Sequence, residues 1–139
     1  MCERLGGVYL VEMGREGVRE RIGSVNVGTW KGRGMEVLDI FRRRRIQVGC
    51  LQEVRRRNND VEMLDGYKMF WAGNEEGTSG VAVAVVEEWV EKIVGVQRRG
   101  DSIILVKIRC GGKILNIISA YVPQVGKTQA DKRSFGIIW

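Results

Sequence analysis

Arg21-Ile22-Gly23-Ser24-Val25-Asn26-Val27-Gly28-Thr29 and, further along, Ile46-Gln47-Val48-Gly49-Cys50-Leu51-Gln52-Glu53 decide the fold. Residues 22–27 form a short β-rich run, and residues 46–51 form a second run suited to a buried strand. Between them lies a glycine-rich loop over 28–34, after which Met35, Val37, Leu38 and Phe41 recur at helical spacing. A helix ending near Arg45 is expected there, with Arg42–Arg45 complementing the negative end of its dipole or contacting phosphate. Strand, helix and strand in this order predict a βαβ unit whose crossover makes the strands parallel. Asn26 and Glu53 then fall on one carboxyl-terminal sheet edge, where α/β proteins bind ligands.

Downstream, residues 55–60 (Arg-Arg-Arg-Asn-Asn-Asp) read as a solvated loop, and 67–72 as a strand. Residues 73–80 form a polar turn before an alternating small-and-branched run, 81–86, suited to an inner strand. Trp89 anchors a short turn before a strand near 93–97. Residues 102–110 and 113–121 are β-rich runs joined by Gly111-Gly112, the two-residue connection of a tight hairpin. Both carry apolar residues on both faces, which favours the middle of a layered structure. Beyond Pro123 a polar loop and then a helix starting near Gln129 are expected. Upstream, residues 1–20 mix glycine and charge without a sustained period and predict a loosely structured leader.

Hydrophobic residues make up 44% of the 139 and charged residues 29%, a globular balance that leaves room for one core. Twenty-three Lys and Arg oppose 17 Asp and Glu, so the charge of +6 favours an anionic partner, or simply a basic surface. No histidine is present, which removes the commonest acid/base group near neutral pH and makes a structural zinc site improbable. Cys50 and Cys110 lie in strand patterns and read as core thiols. No stretch approaches the ~20 apolar residues of a membrane span, so a nuclear or cytoplasmic protein without membrane attachment is expected.

Glu53 leaves a buried strand, where a rigidly held carboxylate suits Mg²⁺; the alternative is a surface ion pair with Arg55 or Arg56. Asn26 can orient a phosphate oxygen or a carboxylate, or can bond local backbone in a turn. Tyr121 stands where the hairpin gives way to loop and can contact a phosphate, or can serve as a partly buried structural tyrosine.

Taken together, residues 21–29, Leu51-Gln52-Glu53-Val54, Gly80-Val81-Ala82-Val83 and residues 115–124 resemble the endonuclease/exonuclease/phosphatase superfamily. Within it, they are most similar to the endonuclease domains of non-LTR retrotransposons and to their domesticated relative, craniofacial development protein 2. The resemblance runs from residue 21 to about 139. It implies an α/β fold that is part of a four-layer α/β sandwich (DNase I-like), ending after roughly the first half. A partial domain over 21–139 is therefore expected.

By the same resemblance, Asn26 is the active-site asparagine, Glu53 the carboxylate for Mg²⁺ or Mn²⁺, and Tyr121 the phosphate-contacting tyrosine. Arg55, Arg56 and Arg57 would draw DNA toward them. The implied function is Mg²⁺-dependent hydrolysis of DNA phosphodiester bonds. The family's Asp-x-Asn and Ser-Asp-His motifs do not occur here, so a fragment inactive or weak on its own is expected. Two further readings stand beside it: a noncatalytic domesticated protein binding nucleic acid or chromatin, and a phosphatase acting on a phosphoinositide or another phosphomonoester. A partial sandwich would also expose apolar sheet surface, which predicts self-association or marginal stability.

Overall fold

Strand β3 (Glu20–Asn26) and strand β4 (Val48–Gln52) run parallel, from Ile22 opposite Val48 to Asn26 opposite Gln52. Helix α1 (Gly34–Arg43) connects them, so the βαβ unit read from the sequence is present. Leu38 and Phe41 face the sheet and are fully buried, while Arg42 and Arg43 lie in the last turn. The helix presses close because Gly49 has no side chain: a Cβ there would lie 2.1 Å from the Phe41 ring. Arg42 pairs with Asp65 and Asp39, and Arg43 with Asp39 at 3.0 Å, so this end of the arginine run is engaged within the protein.

The computed structural model describes residues 2–5, 8–13, 20–122 and 133–137. Five further strands join β3 and β4 in a seven-stranded sheet: β1 (Cys2–Leu5), β2 (Val8–Met13), β5 (Asp60–Leu64), β6 (Tyr67–Gly73) and β7 (Gly80–Val86). The order is β1-β2-β3-β4-β7-β6-β5; β3 and β4 pair in parallel, and the other neighbouring strands of this sheet pair antiparallel. A second sheet has the order β11-β10-β9-β8, with β8 at Ile93–Arg99, β9 at Ile103–Cys110, β10 at Lys113–Val122 and β11 at Arg133–Ile137. Between β7 and β8 a 3₁₀ helix, Glu87–Lys92, buries Trp89. Gly111 and Gly112, at φ +57° and +81°, make the β9–β10 turn in the conformation that two-residue hairpins require.

The two sheets pack face to face over Ile22, Cys50, Val83, Ile104 and Ile117, and α1 covers the far side of the first sheet over Leu51, Met69 and Trp71. Strands β4 and β7 are therefore buried on both faces, as the 81–86 run predicts. The β9–β10 hairpin is covered more fully on one face than on the other among the described residues, as expected of a partial sandwich. Ile104, Val106 and Ile108 are buried between the sheets, whereas Ile103 and Leu105 are half-buried and Ile114 is 45% exposed. Three of the four expected layers are thus present among the described residues.

Two expectations are corrected, and one strand is unmarked in the sequence. Part of the expected loose leader, Cys2–Leu5 and Val8–Met13, forms the outermost two strands at one end of the sheet, and β2 pairs with β3 from Val8–Val25 to Met13–Glu20. The boundary at residue 20 thus falls inside a sheet, because pairing to β3 supplies the ladder that a short isolated run lacks. Strand β5 begins at the end of the arginine-rich loop; it is an edge strand with both faces largely solvated, which hides its periodicity. Arg133–Ile137 is a strand paired with β10, where the sequence suggests a helix; the rest of that segment lies outside the described residues. A sheet edge offering free backbone groups overrides a weak helical period.

Candidate functional site

Because β3 and β4 are parallel, their carboxyl ends lie side by side, and β10 brings its own end to the same rim from the opposing sheet. Asn26, Glu53 and Tyr121 leave these three ends. The Asn26 side-chain amide donates to Glu53 Oε1 at 3.3 Å, and its Oδ1 accepts from the Gly28 backbone N–H at 3.1 Å. Asn26 thus closes a local turn and contacts the carboxylate as well. Among the described residues no ion pair joins Glu53 to Arg55 or Arg56, so the surface-pair alternative is not the one adopted.

The backbone around Glu53 is unusual. Glu53 and Arg55 take φ of +54° and +52°, the left-handed region that side chains disfavour by about 1–2 kcal/mol. Val54 between them is fully buried, and its N–H donates to the Gly80 carbonyl at 3.1 Å. Trp30 N–H donates to the Val54 carbonyl at 3.0 Å, and Arg55 Nε to the Gly28 carbonyl at 2.6 Å. These bonds hold the kink that turns Glu53 toward the rim while Val54 stays in the core. Strain held in place by surrounding contacts is frequent at functional sites.

Tyr121 is 5% exposed, and its hydroxyl is buried without a hydrogen-bond partner of acceptable geometry. Burial first, and then the neighbouring Glu53 carboxylate, push the phenol up to about 12, with Arg55 opposing. The hydroxyl therefore sits beside Glu53 as a neutral donor. Tyr67, on β6, is also pushed up to about 12, chiefly by burial, but donates to the Ile46 carbonyl at 2.8 Å.

The three arginines diverge. Arg55 is exposed beside the site. Arg57 is exposed, and its backbone bridges to Asn74. Arg56 turns away: its guanidinium lies 4.2 Å from the Trp71 ring and 2.7 Å from the Glu62 carboxylate. An open polar depression of about 470 Å³ lies along the neighbouring loops, lined by Asn58, Asn59, Asn74, Glu75, Glu76 and Asp101. Its acidic lining suits a phosphate poorly, and the Asn74 amide is occupied by Thr78 and Asp101.

One group carries almost no signal in the sequence. Gln52 is completely buried, and its amide nitrogen donates to Ser24 Oγ at 3.2 Å and to Ser119 Oγ at 3.1 Å. Its only mark is that of a glutamine closing an apolar strand.

Mg²⁺ takes hard oxygen ligands, commonly one or two carboxylates with water and substrate phosphate completing the shell. Glu53 fits that demand as a lone carboxylate, and among the described residues no cluster of three or more Asp, Glu, Cys or His gathers around an ion site. The donor set thus suits an ion held largely by water and phosphate.

No family model and no curated protein matches the sequence. Among solved structures, the endonuclease domain of TRAS1, a telomere-specific non-LTR retrotransposon, is similar, with a TM-score of 0.56 and 19% identity. The match covers 75% of this chain and 45% of that one, so the chain spans less than half of the domain it resembles. At this identity the likeness shows the fold alone: a two-sheet, DNase I-like α/β arrangement.

Proposed function

We propose that Asn26, Glu53 and Tyr121 form the amide, carboxylate and phenol of a Mg²⁺-dependent endonuclease site acting on DNA phosphodiester bonds. The observation that carries this reading is the Asn26–Glu53 contact at the rim of a DNase I-like fold, with the unpartnered Tyr121 hydroxyl beside it. Glu53 would hold the ion, and Mn²⁺ would be accepted by the same oxygen chemistry. When bound, such an ion stabilises charge on the phosphate and the leaving oxygen.

This chain's own residues orient and bind. The Asn26 amide fixes the Glu53 carboxylate without adding charge. The Tyr121 hydroxyl, kept neutral by burial and by Glu53, donates to a non-bridging phosphate oxygen. Arg55 and Arg57 attract the nucleic-acid backbone. No imidazole is available within these 139 residues to move a proton, and positioned proton transfer contributes ~10²–10⁴-fold. Turnover by this stretch alone is therefore absent or feeble.

A second reading rests on the +6 charge and the exposed Arg55 and Arg57: a noncatalytic, domesticated nucleic-acid-binding protein of the craniofacial development protein 2 type, nuclear or cytoplasmic. Exposed Ile114 and Val122 on the second sheet would support self-association in either case. Mg²⁺ calorimetry and plasmid nicking on the wild type and Glu53→Ala test the first reading. Magnesium binding abolished in Glu53→Ala, with trace nicking at most, is expected. Salt-sensitive DNA binding without magnesium binding would favour the second reading, and robust nicking abolished in Glu53→Ala would overturn the claim of feeble turnover.

A further inference from the structure

The three strands that carry the candidate site are joined one layer below it by a single side chain. Ser24 lies two residues before Asn26 on β3, Gln52 one residue before Glu53 on β4, and Ser119 two residues before Tyr121 on β10. The Gln52 amide nitrogen bonds both serine hydroxyls, at 3.2 and 3.1 Å, and all three residues are buried. Ser119 Oγ in turn donates to the Leu51 carbonyl at 2.8 Å. That bond commits the serine hydrogen, so only the NH₂ end of Gln52 can satisfy the remaining lone pairs. The orientation of the amide is thereby fixed, and Gln52 Oε1 is left buried without a partner.

A buried acceptor with no donor is destabilising, and an aliphatic residue would fill this position in an apolar strand without that cost. From this arrangement we infer that Gln52 is a positioning residue, whose amide fixes the lateral register of the two sheets so that Glu53 on one meets Tyr121 on the other. The Ser24 bond holds β3 to β4, and the Ser119 bonds hold β4 to β10 across the sheet interface. Dispersion contacts around Ile117 and Val83 fix the mean separation of the sheets but not lateral slip, since apolar packing is non-directional. Directional hydrogen bonds at Ser119 resist slip near Tyr121.

The catalytic meaning of this device rests on the proposed endonuclease reading; the geometry does not. The test is accordingly read on the ligand-free full chain by NMR, as the nuclear Overhauser signal between the Tyr121 ring and the Glu53 methylenes. In Gln52→Met, which keeps the volume and removes the amide, this signal is expected to vanish while the fold is retained. Ile117→Val, a control lowering core stability without touching the amide, is expected to keep it. Ser24→Ala/Ser119→Ala removes the partners instead of the amide, should also abolish the signal, and replaces Gln52→Met if that variant does not fold. A signal preserved in a folded variant lacking the amide or both serines would overturn the inference. Its disappearance in Ile117→Val as well would also overturn it, by showing that any core weakening suffices. Magnesium calorimetry on the wild type separates the two claims, because absent binding removes the endonuclease reading and leaves the NMR result standing.

Discussion

Asn26 and Glu53 lie twenty-seven positions apart in sequence, yet their side chains meet at 3.3 Å, because the intervening helix returns the chain to a parallel neighbouring strand. The carboxylate is held on a backbone that glutamate disfavours, at φ +54°. Glu53→Gly should therefore be more stable than Glu53→Ala by about 1 kcal/mol, since glycine adopts positive φ without the Cβ clash. Both substitutions should abolish magnesium binding. Urea midpoints compare their stabilities, and an alanine variant equal to the glycine variant would show that the kink stores no strain.

The two buried tyrosines make a contrasting pair. Tyr67→Phe removes a hydroxyl that donates to the Ile46 carbonyl and should cost about 1 kcal/mol. Tyr121→Phe removes a hydroxyl that lies beside Glu53 without a well-formed bond, and should cost less than Tyr67→Phe. If the phenol contacts phosphate, the same substitution should weaken DNA binding. Thermal melts, paired with DNA titration of the Tyr121 variant, read the three effects.

Alkaline pH should unfold the protein by way of these phenols. Both are pushed from 10 up to about 12 in the fold, chiefly by burial, so the native state holds its protons where the unfolded chain releases them. The unfolded state then binds fewer protons, and stability falls as pH rises. The contribution is intact below pH 10 and declines progressively as pH rises toward about 12. Denaturation midpoints across that window should fall more steeply in the wild type than in Tyr67→Phe/Tyr121→Phe. Equal slopes would contradict the assignment.

Several of these relationships are legible in the sequence, for identifiable physical reasons. The helix over Leu38 and Phe41 and the Gly111-Gly112 hairpin carry strong local signals, and the burial of Val81 through Val85 follows from an unbroken apolar run. Strand β5 is hidden because an exposed edge strand needs no alternation. The strands at 2–5, 8–13 and 133–137 depend on partners distant in sequence, which periodicity cannot register. Asn26, Glu53 and Tyr121 are marked by their strand-end positions, but Gln52 is not, because its role exists only once β3, β4 and β10 have come together.

Helix docking should be sensitive to one methyl group. Gly49→Ala would place its Cβ 2.1 Å from the Phe41 ring, in a region where Leu38 and Phe41 are fully buried. Overpacking of this kind typically costs about 1–3 kcal/mol. Since α1 sits on the face opposite the second sheet, this destabilisation should leave Glu53 and Tyr121 together. Phe41→Leu, added to Gly49→Ala, should recover part of the stability by making room. No recovery in the double variant would mean that the strand itself, and not the ring, rejects the methyl group.

Nucleic-acid binding should separate the three adjacent arginines. Arg55 and Arg57 are exposed on the rim, so replacing either with alanine should weaken DNA binding and reduce the slope of log K against log salt by ~1 for each phosphate that is no longer neutralised, with Arg55→Ala also losing the Nε bond to the Gly28 carbonyl that helps hold Glu53. Arg56 is occupied by the Trp71 ring and by Glu62. Its removal should leave the salt slope unchanged and instead lower stability, because a half-buried guanidinium both stacks and pairs there. Arg56→Lys should not restore that stability, since an ammonium cannot reproduce the planar contact with Trp71. Fluorescence anisotropy across a salt series, alongside melting curves, reads both quantities on the same variants. A reduced slope for Arg56→Ala with unchanged melting would show that this side chain leaves Trp71 to meet DNA, and that the arginines act as one cluster.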